Sequence, residues 1–228
     1  MAVDVTTLEK DLYPRIDFSD VRHLASEHIV KPIANGVKTV TDYLGRFTRK
    51  GVEVYNYLTR WVTYKPTRQR EEIGGTYENG NHRIELNTHH LLGDGYRGFG
   101  EQAAIHEAGH AGMEATGANQ IYTQAAREYY ADVFSERYGE KFRELGSEVG
   151  MYIANRMLEG LTSAMTEEAS DSPSLDAYVP ERYAAYNVIN RVGRESAFSP
   201  TMEDAKRIVP MYVEELTKIS YRDSLYSE

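Results

Sequence analysis

The positions of the hydrophobic residues predict helices over the first 65 residues. Two stripes recur at intervals of three and four residues, which is the spacing of one helical face. They consist of Val21, Leu24, Ala25, His28 and Ile29, and of Val37, Val40, Leu44 and Phe47. Pro32 lies between the stripes, and we expect it near the end of the first helix. A third segment, from Val54 to Trp61, is also helical by its spacing, but it runs into the β-favouring residues 61–64, so its end stays undecided.

The pattern changes to short strands after residue 71. Asn79-Gly80 separates two short runs, and this dipeptide favours a hairpin turn because both residues tolerate a positive φ. In the second run, Ile84 and Leu86 face one side of the strand, and the charged residues between them face the other. A glycine-rich loop with no phosphate-binding spacing follows over residues 93–100.

The remainder of the chain again predicts helices. Gly117 marks a helix end, and the next helix covers roughly residues 120–138. Later helices are expected around 142–161, around 181–192 and from a cap at Thr201 with Asp204, the last kinked at Pro210. The fold class is therefore α+β and mainly α-helical, with a small hairpin or sheet between helical regions. The predicted divisions are an N-terminal helical region, a central core and a C-terminal helical region, over residues 1–65, 66–145 and 146–228.

The composition is that of an ordinary globular protein of 228 residues, with 41% hydrophobic and 27% charged residues. No apolar run approaches the length of about 18 residues that spans a bilayer, and no signal peptide is evident near Met1. The chain has no cysteine, which favours a reducing compartment, and we expect a cytoplasmic protein without a membrane partner.

The charge is uneven along the chain. Residues 101–228 carry 12 basic and 22 acidic residues, so their net charge is −10. The whole chain has a net charge of −9. This distribution argues against nucleic acid as a partner.

The chemistry is concentrated in His106-Glu107-Ala108-Gly109-His110, which reads HExxH. On a helix, residues four apart differ by roughly 40° in direction and 6 Å in height, so the two imidazoles can bind one ion. Glu107 lies on the same side, where it can act on a water at the open coordination position. The pentapeptide therefore predicts a metal site on a helix.

A catalytic zinc normally takes a third protein ligand. No histidine follows His110 and the chain has no cysteine, so a downstream ligand must be Asp or Glu, and peptide deformylases and metzincins are excluded. A helical hairpin turning at Gly117 would bring Glu128 back after roughly 13 Å of descent to the level of the histidines. Asp132 shares the face of Glu128, and Glu114 is a weaker competitor because it would have to bend back along its own helix.

HExxH followed by Glu128-x-x-x-Asp132 resembles the gluzincin metallopeptidases, over roughly residues 72–140. Arg127 stands where thermolysin-like members often have Asn, so the resemblance is to the clan rather than to that family. It implies a zincin-like core with one Zn²⁺ per chain, held by His106, His110 and Glu128. It also implies that Asp132 supports a ligand histidine.

The expected function is therefore hydrolysis of peptide bonds in a peptide or protein substrate, with Glu107 as general base. The backbone of Ile84, Glu85, Leu86 and Asn87 could bind the peptide as an added strand. Candidates for the oxyanion donor are Tyr178, Tyr183 and Tyr186. We expect His82, His89 and His90 to be surface or hairpin residues rather than ligands.

Three alternatives remain open. The chain could be a non-catalytic, partner-binding helical protein that retains a zincin-like core, or a regulatory peptidase that acts on a single protein. A ferritin-like di-iron protein is disfavoured because a second Glu-x-x-His is absent. The oligomeric state, the substrate sequence and the role of the flanking helices are not determined by these patterns.

Overall fold

The computed structural model describes residues 4–22, 26–67, 74–92, 99–170 and 178–225 of the chain. The helices are α1 (Val5–Leu12), α2 (Glu27–Phe47), α3 (Gly51–Asn56), α4 (Thr88–Leu92), α5 (Phe99–Ala115), α6 (Ala118–Tyr138), α7 (Arg143–Ser170), α8 (Val179–Val192), α9 (Arg194–Phe198) and α10 (Met202–Leu225). The strands are β1 (Thr63–Thr67), β2 (Gly75–Glu78) and β3 (Arg83–Asn87). The prediction of a mainly helical α+β fold is confirmed.

The chain divides into two compact units, which differ from the three predicted regions. One unit comprises Met1–Ala115 with Met165–Leu175, and the other comprises Thr116–Ala164 with Asp176–Glu228. The predicted N-terminal helices and the HExxH helix share the first unit because α2 packs along α5.

The packing of α2 against α5 forms the centre of the first unit. The buried face of α2 includes Ile33, Val37, Val40 and Leu44, and Ala104 and Ala108 are buried on α5. At Gly36 the two backbones come so close that a Cβ would lie 2.9 Å from the Ala104 carbonyl carbon. This close approach fixes the position of α5 against the core.

The two N-terminal stripes do not form two helices, since α2 continues through Pro32 from Glu27 to Phe47. The proline lies early in this helix, where the loss of one backbone hydrogen bond is offset by the extensive buried face that follows. Part of the first predicted stripe, residues 23–25, lies outside the described residues.

The sheet has the order β1-β3-β2, with β1 parallel and β2 antiparallel to β3. The predicted hairpin is confirmed, although its positive φ falls on His82, at 48°, after a 3-10 turn over Asn79–Asn81. Since β3 is the central strand, it pairs with β1 over residues 83–87 and with β2 over residues 83–86. The expectation that the backbone of Ile84–Asn87 is free to bind a peptide is therefore wrong.

The second unit is formed by helices alone among its described residues. Helix α10 packs against α6 and α8, and the aromatic side chains of Tyr122, Phe198 and Tyr212 are fully buried. The predicted cap is confirmed: the Asp204 backbone N–H donates to Thr201 Oγ1, and the Thr201 backbone N–H donates to Asp204 Oδ2, both at 3.1 Å. Helix α10 continues through Pro210.

Among the described residues, no helix combines the length and the apolar character that crossing a membrane requires.

Candidate metal centre

Helix α5 places the two histidines of HExxH one turn apart with their rings facing each other. The Nε2 atoms of His106 and His110 are 3.2 Å apart, and both side chains are half-buried. Two nitrogens bound tetrahedrally at about 2.0–2.1 Å from a zinc ion would be about 3.3 Å apart. The spacing of the histidine pair therefore fits one shared zinc ion.

Glu107 lies between the two histidines in sequence and is 7% exposed. Its side chain packs against strand β2, where a Cβ on Gly75 would come within 2.8 Å of Glu107 Cγ. A carboxylate this buried is expensive to keep charged unless cations or donors compensate it. The position is therefore one where a functional acid, rather than a solvated surface acid, is expected.

The two imidazoles are donors that catalytic zinc uses, so the histidine pair of α5 fits zinc by its chemistry.

Glu128, the carboxylate predicted as the third ligand, pairs with a cation of its own unit. Its Oε2 atom lies 2.9 Å from Nζ of Lys206 on α10, its Oε1 accepts from Gln124 at 2.9 Å, and its side chain is 43% exposed. The hydrogen bonds from Gln124 and then Lys206 hold the pKa of Glu128 below its usual 4.5. The structure therefore places this acid in a surface ion pair.

Asp132, predicted to support a ligand histidine, also pairs with a cation. Its Oδ1 atom accepts from Arg143 at 2.7 Å, and its side chain is 58% exposed. The face predicted for Glu128 and Asp132 is buried at Ala125, half-buried at Glu128 and exposed at Asp132. Burial thus decreases along this face of α6 towards its C-terminal end.

Glu114, the weaker competitor for the ligand position, belongs to a polar network that is built on the first unit. Tyr77 donates to its carboxylate at 3.2 Å, and the Tyr77 and Tyr57 hydroxyls are 3.0 Å apart. The Tyr57 hydroxyl lies 2.6 Å from His82 Nδ1. Each tyrosine has a single hydroxyl proton, so the contacts are satisfied when donation runs from His82 through Tyr57 and Tyr77 to Glu114.

Burial raises the pKa of Tyr77 and of Tyr57, so both hydroxyls stay protonated and remain donors. The prediction that His82 is a hairpin residue is confirmed, since it follows the turn between β2 and β3. The network ties β2 and the helical turn over Tyr57–Trp61 to the last turn of α5.

The remaining predicted site residues have local roles. On β3, Ile84, Leu86 and Asn87 are buried, and Glu85 pairs with Arg83. Of the three oxyanion candidates, Tyr178 and Tyr183 are 37% and 54% exposed, and Tyr186 donates to the Ala164 carbonyl at 3.3 Å. The backbone N–H of His89 donates to Asn87 Oδ1, and the side chain of His90 lies outside the described residues.

No match was found in comparisons with models of known protein families, with curated proteins or with solved structures.

Proposed function

We propose that this protein is a zinc-dependent metallopeptidase that hydrolyses peptide bonds in a peptide or protein substrate. The observation that supports it most is the pair of imidazole nitrogens 3.2 Å apart on one helix, with a buried glutamate between them in sequence. We propose His106 and His110 as two of the zinc ligands.

Zinc is a metal that the histidine pair favours. Catalytic zinc commonly takes histidine nitrogens, and two histidines with one further protein ligand would leave a fourth position open in tetrahedral geometry. When bound, zinc would polarise a substrate carbonyl and lower the pKa of water to about 7.

Glu107 is the proposed general base. Its side chain has little access to solvent, so its carboxylate would take the proton from an attacking water rather than exchange it with bulk solvent. The same carboxylate would then give the proton to the leaving amine. Because the side chain packs against β2, the direction in which it can point is restricted.

The sheet offers an edge for an extended substrate at β2 rather than at β3. In the order β1-β3-β2, strand β2 has a partner on one side only among the described strands. Strand β2 also packs directly against α5. We therefore propose that a peptide adds to Gly75–Glu78, where backbone hydrogen bonds provide affinity without demanding one sequence. A reducing compartment such as the cytoplasm remains the proposed location, because the chain has no cysteine.

The test is cleavage of a peptide library by the zinc-loaded protein and by its Glu107→Gln variant. Gln keeps the size of the side chain and cannot accept the proton, so we expect a loss of roughly 10²–10⁴-fold in kcat. Zinc bound per chain is measured by mass spectrometry on both proteins, and we expect one zinc ion in each.

Equal cleavage by the wild type and Glu107→Gln would contradict the mechanism. Zinc binding by a wild type that cleaves no library peptide would favour the non-catalytic, partner-binding alternative. Absence of zinc binding by the wild type would contradict the metal site itself.

A further inference from the structure

We infer that Gly75 is a positioning residue, whose missing side chain makes the space that the general base Glu107 occupies. This inference rests on the proposed function for its catalytic consequence, although its packing basis does not. A Cβ at position 75 would lie 2.8 Å from Glu107 Cγ, closer than real Cβ contacts occur. Any side chain at position 75 must therefore displace Glu107 or the strand.

The strand is held by its own hydrogen bonds and has little freedom to move away. Gly75 pairs with Leu86 in the antiparallel register, and the Asn87 backbone N–H donates to the Gly74 carbonyl at 3.0 Å. The same Cβ would lie 2.9 Å from the Glu85 carbonyl oxygen and 3.1 Å from Leu86 Cδ2. Movement of β2 in that direction is blocked by the backbone of β3.

A second contact fixes β2 to the catalytic helix further along. Tyr77 lies two residues after Gly75 and so on the same face of the strand, and its hydroxyl donates to Glu114, two turns after Glu107. Gly75 and Tyr77, the two residues of β2 that face inward, thus both contact α5. Gly75 lies against the proposed base Glu107, and Tyr77 donates to Glu114. A shift of the strand would have to break the Tyr77–Glu114 hydrogen bond.

Because the Glu85 carbonyl oxygen is held in the sheet, the side chain of Glu107 is the close neighbour of position 75 that can move most easily. Its Cγ carries the carboxylate, so moving Cγ away from position 75 also changes the position and direction of the carboxylate. A misplacement of about 1 Å of a catalytic group can cost roughly 10²-fold in rate. The three atoms nearest to a Cβ at position 75 belong to Glu107, Glu85 and Leu86, and none belongs to a histidine. The zinc affinity should therefore not depend on the residue at position 75.

The experiment compares Gly75→Ala with Gly80→Ala. Gly80 lies in the turn that follows β2, and a Cβ there would meet nothing within 4 Å. On a peptide that the wild type cleaves, we expect Gly75→Ala to lower kcat about 10²-fold with little change in KM. Zinc titration should give the wild-type affinity for both variants, and Gly80→Ala should retain the wild-type kcat.

A stability measurement tests the packing independently of activity. Gly75→Ala should lower Tm in the wild-type background and lower it less in a Glu107→Ala background, because alanine at 107 has no Cγ to collide with. Equal losses of Tm in the two backgrounds would overturn the inference, as would a wild-type kcat for Gly75→Ala.

The two proposals fail in different ways. If Glu107→Gln cleaves as well as the wild type, the proposed mechanism is wrong, while the dependence of Tm on both positions can still be present. If Glu107→Gln is inactive and Gly75→Ala is fully active, the mechanism stands and the positioning role of Gly75 is wrong.

Discussion

Helices α5 and α6 both carry acidic residues at helical spacing, but these residues differ in their exposure and in their partners. On α5, Glu107 is 7% exposed and the Glu114 side chain is 13% exposed. On α6, the side chains of Glu128 and Asp132 are 43% and 58% exposed. The acids of α5 meet a strand and tyrosine hydroxyls, whereas those of α6 meet Lys206 and Arg143 at the surface.

The difference shows that an acid aligned with apolar residues on a helix does not by itself indicate a ligand. Such an acid needs a compensating group, and a mobile lysine or arginine can supply it at low cost in solvent. For Glu114 on α5 the compensation comes from the Tyr77 hydroxyl, a donor in a partly buried environment, where electrostatic interactions are stronger. The following predictions test whether changes on α5 and its partners have larger effects than changes to the exposed acids of α6 and their partners.

The largest effect is expected for zinc binding in His110→Gln compared with Glu128→Gln. Glutamine at 110 is a poor zinc ligand, so we expect affinity to fall by more than the roughly 10–100-fold that loss of an outer-shell partner costs. Glu128→Gln changes an exposed ion pair, so we expect the wild-type affinity. Isothermal titration with Zn²⁺ measures both, with circular dichroism to verify that each variant is folded.

A marked loss of zinc in Glu128→Gln would contradict this expectation and make Glu128 the third ligand, as predicted from the sequence. Asp132→Asn serves as a matched control on the same helix, and we expect it to bind zinc as the wild type does, because its carboxylate pairs with Arg143.

A smaller effect is expected from Tyr77→Phe, which removes the donor to Glu114. The carboxylate would be left with less compensation in a mainly buried position, so we expect a loss of about 1–3 kcal/mol in the free energy of unfolding. Urea unfolding measures the loss. Tyr183→Phe is the control, because its side chain is 54% exposed and the change should have little effect on stability. Equal stabilities of Tyr77→Phe and the wild type would show that the network is not stabilising.

Much of the fold follows from local patterns. The Asn79-Gly80 hairpin, helix α6 and the Thr201–Asp204 cap depend on neighbouring residues, and all three are confirmed. Local patterns could not predict that the two expected helices form one helix, α2. Whether Pro32 ends a helix depends on the buried face that follows it, which is a property of the packing with α5.

The candidate site likewise has a part that local sequence patterns predict and a part that they do not. The histidine pair is local, because the α-helix itself sets the geometry of residues four apart, and the 3.2 Å between the two Nε2 atoms agrees with it. The choice of a third ligand is not local. The predicted helical hairpin supplied only a distance along α6, and it could not show that Lys206 of α10 lies next to Glu128. The order of the sheet was likewise hidden, because the β-favouring residues at the start of β1 do not indicate which strand β1 pairs with.

The smallest effect is expected from the Lys206–Glu128 ion pair. An exposed pair contributes up to about 1 kcal/mol, so Lys206→Ala should lower the free energy of unfolding by no more than that at pH 7, and by less at high salt. The pKa of Glu128 is lowered in the folded state, so its contribution is complete above the usual value of 4.5 and is lost as the pH falls through the lowered pKa. A double-mutant cycle with Glu128→Gln, measured by urea unfolding at pH 7 and pH 3, isolates the coupling. A coupling well above 1 kcal/mol, or one that persists at pH 3, would show that Glu128 has a stronger role than a surface pair, and the contrast between α5 and α6 would then weaken.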